Sequence, residues 1–260
     1  MQVIIQSTTL NSLTAQAGLI HAFSPRSFEL EDGIKGELSF GTLKDEQNVS
    51  LHRQWFLRSI GIDGGEVYQV RQVHGDRVYE LKDPVNSVEK VADIPADAII
   101  TSLVNTPIAV LTADCVPVVI YDFRLHVAGV VHAGRMGTTQ NILFKTIKTM
   151  QKSYGCEPED LVVGMGPGIG GCCYEVDASC IEPFKKQYTG WARFVKKSPS
   201  GKCMLDLFAA NIEDARNAGV DPKNISQTGL CTSCEVGRFF SYRREGTTGR
   251  MITVAMLSST

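Results

Sequence analysis

The sequence predicts an α+β fold: mixed β-sheets flanked by helices, in a single domain over residues 1–260. Three observations carry this. Strand-like runs outnumber helix-like ones and cluster between residues 66 and 131, instead of alternating with helices one by one. No Pro/Gly/Ser-rich linker divides the chain; Lys197-Ser-Pro-Ser-Gly-Lys202 comes nearest and is short enough for a hairpin or surface loop. Hydrophobic residues make up 43% and charged residues 21%, the composition of a chain that packs a core. A chain of this length buries roughly 75% of its unfolded surface and needs no covalent staples.

The elements follow in order. Residues 13–61 are the least regular, with Gly33, Gly36 and Gly41 interrupting the pattern before a helix-like stretch at 49–60. Val67-Tyr-Gln-Val-Arg-Gln-Val73 alternates apolar and polar residues and reads as a strand. Short apolar runs at 97–101, 108–111, 116–121 and 127–131 follow closely. In residues 138–154, Leu143, Ile147, Met150 and Tyr154 recur at helical spacing and form one apolar stripe, which Gly155 ends. Residues 161–163 read as a strand running into a glycine loop. Residues 177–188 and 205–218 read as helices, the second with a stripe of Phe208, Ile212 and Ala215. Strands at 238–242 and 251–257 complete the set.

Composition excludes several function classes. Lys and Arg number 26 against 28 Asp and Glu, a net charge of -2, so no basic excess points to a nucleic acid. The longest apolar run, 116–121, is strand-sized, far short of a membrane helix. Met1-Gln-Val-Ile-Ile-Gln-Ser7 lacks the charged and apolar regions of a signal peptide. With eight Cys in that context, the expectation is a cytoplasmic protein with reduced or metal-ligating thiols.

Four groups of residues are candidates for chemistry. Two histidines close strand-like runs, in Gln72-Val-His-Gly75 and Val130-Val-His-Ala-Gly134, and a cysteine sits in Leu111-Thr-Ala-Asp-Cys115. Three such donors with a fourth position open are the pattern of a catalytic zinc. The spacings, 41 and 17 residues, match no local metal signature, which leaves open two core histidines and a buried thiol. Gly166-Pro-Gly-Ile-Gly-Gly171 contains G-x-G-x-x-G, but Cys172-Cys-Tyr-Glu-Val176 stands where a helix should open and Pro167 removes an amide. Gly166 and Gly168 therefore mark either a close ligand approach or a tight turn, not a dinucleotide site. Phe239-Phe-Ser-Tyr-Arg-Arg-Glu-Gly-Thr-Thr-Gly-Arg250 sets Arg243, Arg244 and Arg250 among aromatics and Ser241. That is a phosphate or carboxylate site with a stacking surface, or a solvated hairpin with Arg–Glu pairs. If the stretch is extended, Arg243 shares a face with Ser241 and Arg244 points away to an acid elsewhere. Cys231-Thr-Ser-Cys234 is a lone C-x-x-C with no second pair after it, and Cys172-Cys173 reads as structural. Cys231 and Cys234 are expected to be reduced and dispensable for activity.

Taken together, these segments resemble the laccase-domain, YfiH-like family. The resemblance rests on Gln72-Val-His-Gly75, Asp97-Ala-Ile-Ile-Thr101, Leu111-Thr-Ala-Asp-Cys115, His132-Ala-Gly134, Gly166-Pro-Gly-Ile169 with Cys173-Tyr-Glu-Val176, and Phe239-Phe-Ser-Tyr-Arg-Arg244 with Gly249-Arg250. Six motifs in this order span residues 66–257, and Ala22-Phe-Ser-Pro-Arg26 extends them. The resemblance implies one zinc held by His74, Cys115 and His132. It also implies phosphorolysis of adenosine, inosine, guanosine and methylthioadenosine to base and sugar 1-phosphate, with adenosine deamination alongside. Asp114 and Glu175 are candidate proton shuttles for that chemistry, and the small-molecule partners would be nucleoside and phosphate. Bacterial relatives also carry a reading as amide hydrolases of cell-wall precursors, and a zinc-stabilised partner protein is a non-enzymatic alternative. Two departures stand out. The usual His-Ala-Gly-Trp-Arg-Gly is His132-Ala-Gly-Arg-Met-Gly137 here, and the usual Asn-Leu-Gly is Ser39-Phe-Gly41. A multicopper oxidase needs about four coppers held mainly by imidazole, and five histidines are too few. Cu2+ could still enter the one His/Cys/His site and oxidise phenols there.

Overall fold

The computed structural model describes residues 3–4, 8–14, 18–41, 46–64, 66–83 and 88–259; most of the N-terminal heptapeptide read above lies outside them. In chain order the core elements are β1 (Leu19–Phe23), α1 (Glu46–Ser59), β2 (Tyr68–Gln69), β3 (Val78–Leu81), β4 (Ala98–Thr101), β5 (Ile108–Thr112), β6 (Val116–Asp122) and β7 (Val127–Ala133). Then come α2 (Arg135–Thr139), α3 (Ile142–Tyr154), β8 (Leu161–Met165), α4 (Leu207–Asn217), β9 (Ile225–Gln227) and β10 (Met251–Leu257). A six-stranded sheet runs β9-β8-β6-β7-β4-β3, antiparallel through its middle and parallel at both edges. A four-stranded sheet runs β1-β10-β5-β2, with only β2 parallel to its neighbour. The mixed sheets are those expected of the α+β class.

Side-chain alternation along the strands sets the layers. On one face of the six-stranded sheet Ile100, Val118, Ile120, Val131 and Val163 pack against Leu143, Ile147 and Met150 of α3 and Ala210 and Ala215 of α4. On the other face Ile99, Val119, Tyr121, Val130 and Val162 meet Ile108, Val110, Ala255 and Leu257 of the four-stranded sheet. The far side of that second sheet, through Ala22, Ala109, Ile252 and Val254, is covered by Phe56 and Leu57 of α1 with Leu38 and Phe40. The order is therefore helices, sheet, sheet, helix. Because β6 and β7 lie in the middle they are buried on both faces, which is why they read as continuous apolar runs.

Four elements differ from expectation, each for a local reason. The helix expected over residues 138–154 is two helices, because Asn141 adopts a left-handed conformation (φ 61°) between α2 and α3. The strand expected at 67–73 pairs with β5 only at Tyr68–Gln69, and Arg71 makes an isolated bridge to Pro95. Beyond that the Gln72 side chain takes over the ladder, its amide donating to the Leu111 carbonyl (2.8 Å) and accepting from the Leu111 N–H (2.7 Å). Residues 177–188 hold one turn at Ala178–Cys180 and a short helix at Glu182–Gln187. Residues 238–242 are not a strand. Phe239 and Phe240 are buried in a turn, and Ser241 caps the one-turn helix Tyr242–Glu245 by accepting from the Arg244 N–H. Among the described residues no helix is long and apolar enough to cross a membrane.

Candidate metal centre and cleft

Three chain segments meet where the two sheets open at one end. His132 is the penultimate residue of β7, and alternation turns its side chain toward the four-stranded sheet. Cys115 ends the tight connection between β5 and β6, in which Asp114 takes a left-handed φ of 89°. His74 (φ 59°) reverses the chain after the Gln72 clamp. The donor atoms of these three residues all lie within 4.8 Å of one another. His132 is buried, Cys115 half-buried and His74 exposed, so the group closes inward and opens outward.

One carboxylate organises it. Asp97, fully buried, accepts from the backbone N–H groups of Val73 (3.2 Å), His74 (2.9 Å) and Gly75 (2.7 Å), and from His132 Nδ1 (2.8 Å). Its carbonyl accepts from the His132 N–H (2.7 Å). The left-handed His74 lets three successive amides aim at one anion. Burial alone would push the Asp97 pKa up, but the His132 hydrogen bond and the amides of Gly75 and Val73 hold it below the usual carboxylate range. With Nδ1 committed to Asp97, His132 presents Nε2 to the centre, the arrangement that fixes the tautomer of a metal-ligating histidine.

The donor set fits a soft divalent cation. Burial opposes ionisation of Cys115, but the charge and hydrogen bond of His132, then those of His74, outweigh it and bring the thiol down to about 6. Burial likewise disfavours the His132 imidazolium, while Cys115 and Asp97 favour it and carry it up to about 9. At neutral pH this is a thiolate beside an imidazolium, and a cation at the same point would replace the proton between them. Gly134 leaves the space: a Cβ there would lie 2.9 Å from Cys115 Sγ and 3.1 Å from His74 Cδ2. Gly137 serves the same end, since a Cβ would meet the Gly75 carbonyl at 2.7 Å.

The centre lies in a cleft of about 740 Å³ lined by Gln72, Leu111, Asp114, Tyr174 and Tyr242, with Met136, Arg135, Arg243 and Arg250, a size suited to a small organic ligand. Arg243 stacks over the Tyr174 ring (4.9 Å) and donates through Nη1 to the Glu175 carbonyl (2.5 Å). Arg250 donates to the carbonyls of Thr248 and Gly249. Arg135 and Met136, where this chain departs from the family's His-Ala-Gly-Trp-Arg-Gly, both line this cleft.

The other expected contacts lie elsewhere. Ser241 is fully buried and spends its hydroxyl on the helix cap. Arg244 donates to the carbonyls of Thr232, Ser233 and Phe239 and pairs with the adjacent Glu245, so it braces a loop. Gly166 and Gly168 do not line the cleft. Their amides bond to the carbonyls of Pro117 and Leu230, and their missing side chains make room for the Phe23 ring and for Val116 and Phe208. Asp114 lines the cleft, yet its oxygens accept from Thr232 Oγ1 (2.6 Å) and the Arg243 N–H (2.6 Å), which fits positioning of the loop. The Glu175 carboxylate accepts from Ser198 and Ser200 outside the cleft. Sequence reasoning missed Asp97, Gln72, Tyr174 and Tyr242 as site residues. The available signal for Asp97 was an acid opening an apolar run that is otherwise all core.

Comparison with solved structures places the fold. The hypothetical protein YfiH of Bacillus licheniformis superposes with a TM-score of 0.83 at 28% identity, over 92% of this chain and 93% of that one. YlmD from Geobacillus stearothermophilus gives 0.84 at 26%, over 96% and 94%. The chain belongs to the family described as multi-copper polyphenol oxidoreductase laccase, whose model matches residues 21–258. A purine nucleoside phosphorylase of Xylella fastidiosa (strain 9a5c) is 35% identical over 72% of this chain and 71% of its own length. Adenosine deaminase RL5, from an unknown prokaryotic organism, is 34% identical over 75% and 76%. The multi-copper part of the family description does not fit this chain. His21 accepts from the Leu10 N–H, His52 bonds the Ser39 carbonyl and His126 bonds Tyr121, leaving two histidines at the centre.

Proposed function

We propose that this chain is a zinc-dependent purine nucleoside phosphorylase that also deaminates adenosine. The observation that carries the reading is one cleft combining three metal-type donors, open on one side, with aromatic faces and free guanidinium donors. His74, Cys115 and His132 would hold the ion, which supplies Lewis acidity and a water of lowered pKa. Tyr174 and Tyr242 offer faces for a purine, and Leu111 and Met136 an apolar wall. Among the described residues the Arg243 guanidinium makes one hydrogen bond to protein, through Nη1, so its other donors are available to phosphate oxygens. Arg135, lining the same cleft, adds a second positive charge. Phosphate attacks the sugar C1′ as the bond to the purine nitrogen breaks. Deamination uses water at the purine C6 with ammonia leaving, and has no need of the arginines.

The relatives named purine nucleoside phosphorylase and adenosine deaminase support the reading. Incubation with adenosine, with and without phosphate, followed by chromatography, tests it. Adenine and ribose 1-phosphate are expected only with phosphate, and inosine in both. Neither product from zinc-loaded protein would reject the proposal.

A further inference from the structure

Away from the cleft, the C-x-x-C acquires the partners that sequence spacing did not supply. The sulfurs of Cys172, Cys173, Cys231 and Cys234 all lie within 4.8 Å of one another. Cys234 Sγ is 3.6 Å from that of Cys172 and 3.4 Å from that of Cys173, at sequence separations of 62 and 61. Two turns bring them together. In the first, the N–H groups of Cys173 and Tyr174 return to the Gly170 carbonyl; in the second, those of Cys234 and Glu235 return to the Cys231 carbonyl. Gly168 ties the turns through hydrogen bonds with Leu230 and Thr232. We propose that these four cysteines form a second metal site, a tetrathiolate zinc that clips residues 170–174 to residues 231–235.

The geometry selects the ligand. Four sulfurs about 2.3 Å from a tetrahedral Zn2+ stand about 3.8 Å apart; the two Cys234 separations, 3.6 and 3.4 Å, lie just under that edge, and all four sulfurs fall within 4.8 Å. Disulfide sulfurs sit at about 2.05 Å, and the cysteines of a multi-iron cluster are spread around several irons, so the arrangement suits one tetrahedral ion. The Gly170 N–H donates to Cys231 Sγ (3.2 Å), the kind of outer hydrogen bond that steadies a metal-bound thiolate. A Cβ on Gly170 would crowd Cys172 Sγ at 3.1 Å, so the position favours glycine beside the sulfurs. Binding forms four Zn–S bonds, releases the protons of whichever thiols still carry them, and involves no oxidant. Such a clip is structural, since all four positions are taken by protein. It also reaches the cleft: Tyr174 follows Cys173, and Thr232, inside the C-x-x-C, holds Asp114.

The test is the zinc content of full-length protein purified with a thiol reductant, compared with Cys172→Ser/Cys234→Ser prepared identically. A loss of one equivalent per chain is expected, whatever the cleft holds. A second measurement does not depend on how the variant folds. Cobalt added to metal-depleted wild type should give the intense visible bands of a tetrahedral tetrathiolate, and these should persist in His74→Ala/Cys115→Ser. Equal zinc in wild type and the Cys172/Cys234 variant overturns the site. So does a cobalt spectrum that vanishes with the cleft ligands, or a disulfide between these cysteines in the reduced preparation.

Discussion

Asp97 fixes two of the three cleft donors at once, the His74 loop through backbone amides and His132 through its ring. Asp97→Asn keeps the shape, but its NH2 can only face donors, leaving buried N–H groups unpaired. We expect zinc affinity to fall by roughly 10- to 100-fold, as for other outer partners of metal-ligating histidines, read by competition with a chelator; unchanged affinity would show that the donors hold themselves. Arg243 is the residue to separate the two proposed activities. Arg243→Lys keeps the charge and loses the fork, so phosphorolysis at low phosphate should drop roughly tenfold to a hundredfold, about 1.5–3 kcal/mol, with deamination little changed. An equal fall in both would make the residue structural. The segment carrying this arginine shows how residue-scale reading fails. Two adjacent phenylalanines look like strand, but Ser241 is spent on a cap, so a period-two argument about which side chains share a face had no strand to act on.

At the scale of elements, legibility followed burial. Strands β4 to β8 and the stripe of α3 were readable because each buries a regular set of apolar positions. Segments held by side-chain hydrogen bonds or by distant chain were not. The Gln72 clamp substitutes an amide for backbone pairing, and the four-cysteine cluster joins turns about sixty residues apart. The proposed metal ligands could be singled out only through motif resemblance, since spacing of 41 and 17 residues carries no local geometry. The junction of β7 and α2 offers a sharp test. Gly134 has an ordinary extended backbone (φ -75°, ψ 171°) that alanine adopts without strain. Gly134→Ala should therefore fold with almost unchanged thermal stability while losing metal affinity, because the new Cβ meets the donors themselves. Circular dichroism melts with elemental analysis read both, and full metal content in the variant would contradict the cramped geometry.

Across the whole molecule, one buried acid ties stability to pH. Asp214 on α4 is 2% exposed, and burial pushes its pKa up to about 7. A carboxyl raised in the folded state keeps its proton where the unfolded chain has lost its own, so its contribution is fully present below about pH 4 and disappears as pH rises to about 7. Asp214→Asn should accordingly stabilise the protein at pH 8, by on the order of 1–3 kcal/mol, and leave it unchanged at pH 4. Urea melts at both values decide this, and equal effects at the two would remove the linkage. The Gln72 amide has a consequence at the same scale. β2 covers only the first two residues of β5, so the rest of that strand would present open backbone groups at the rim of the four-stranded sheet. By occupying both polar groups of Leu111, Gln72 blunts an edge that another chain could extend. Removing it exposes a template for intermolecular pairing, so Gln72→Ala protein should show its defect first as concentration-dependent aggregation.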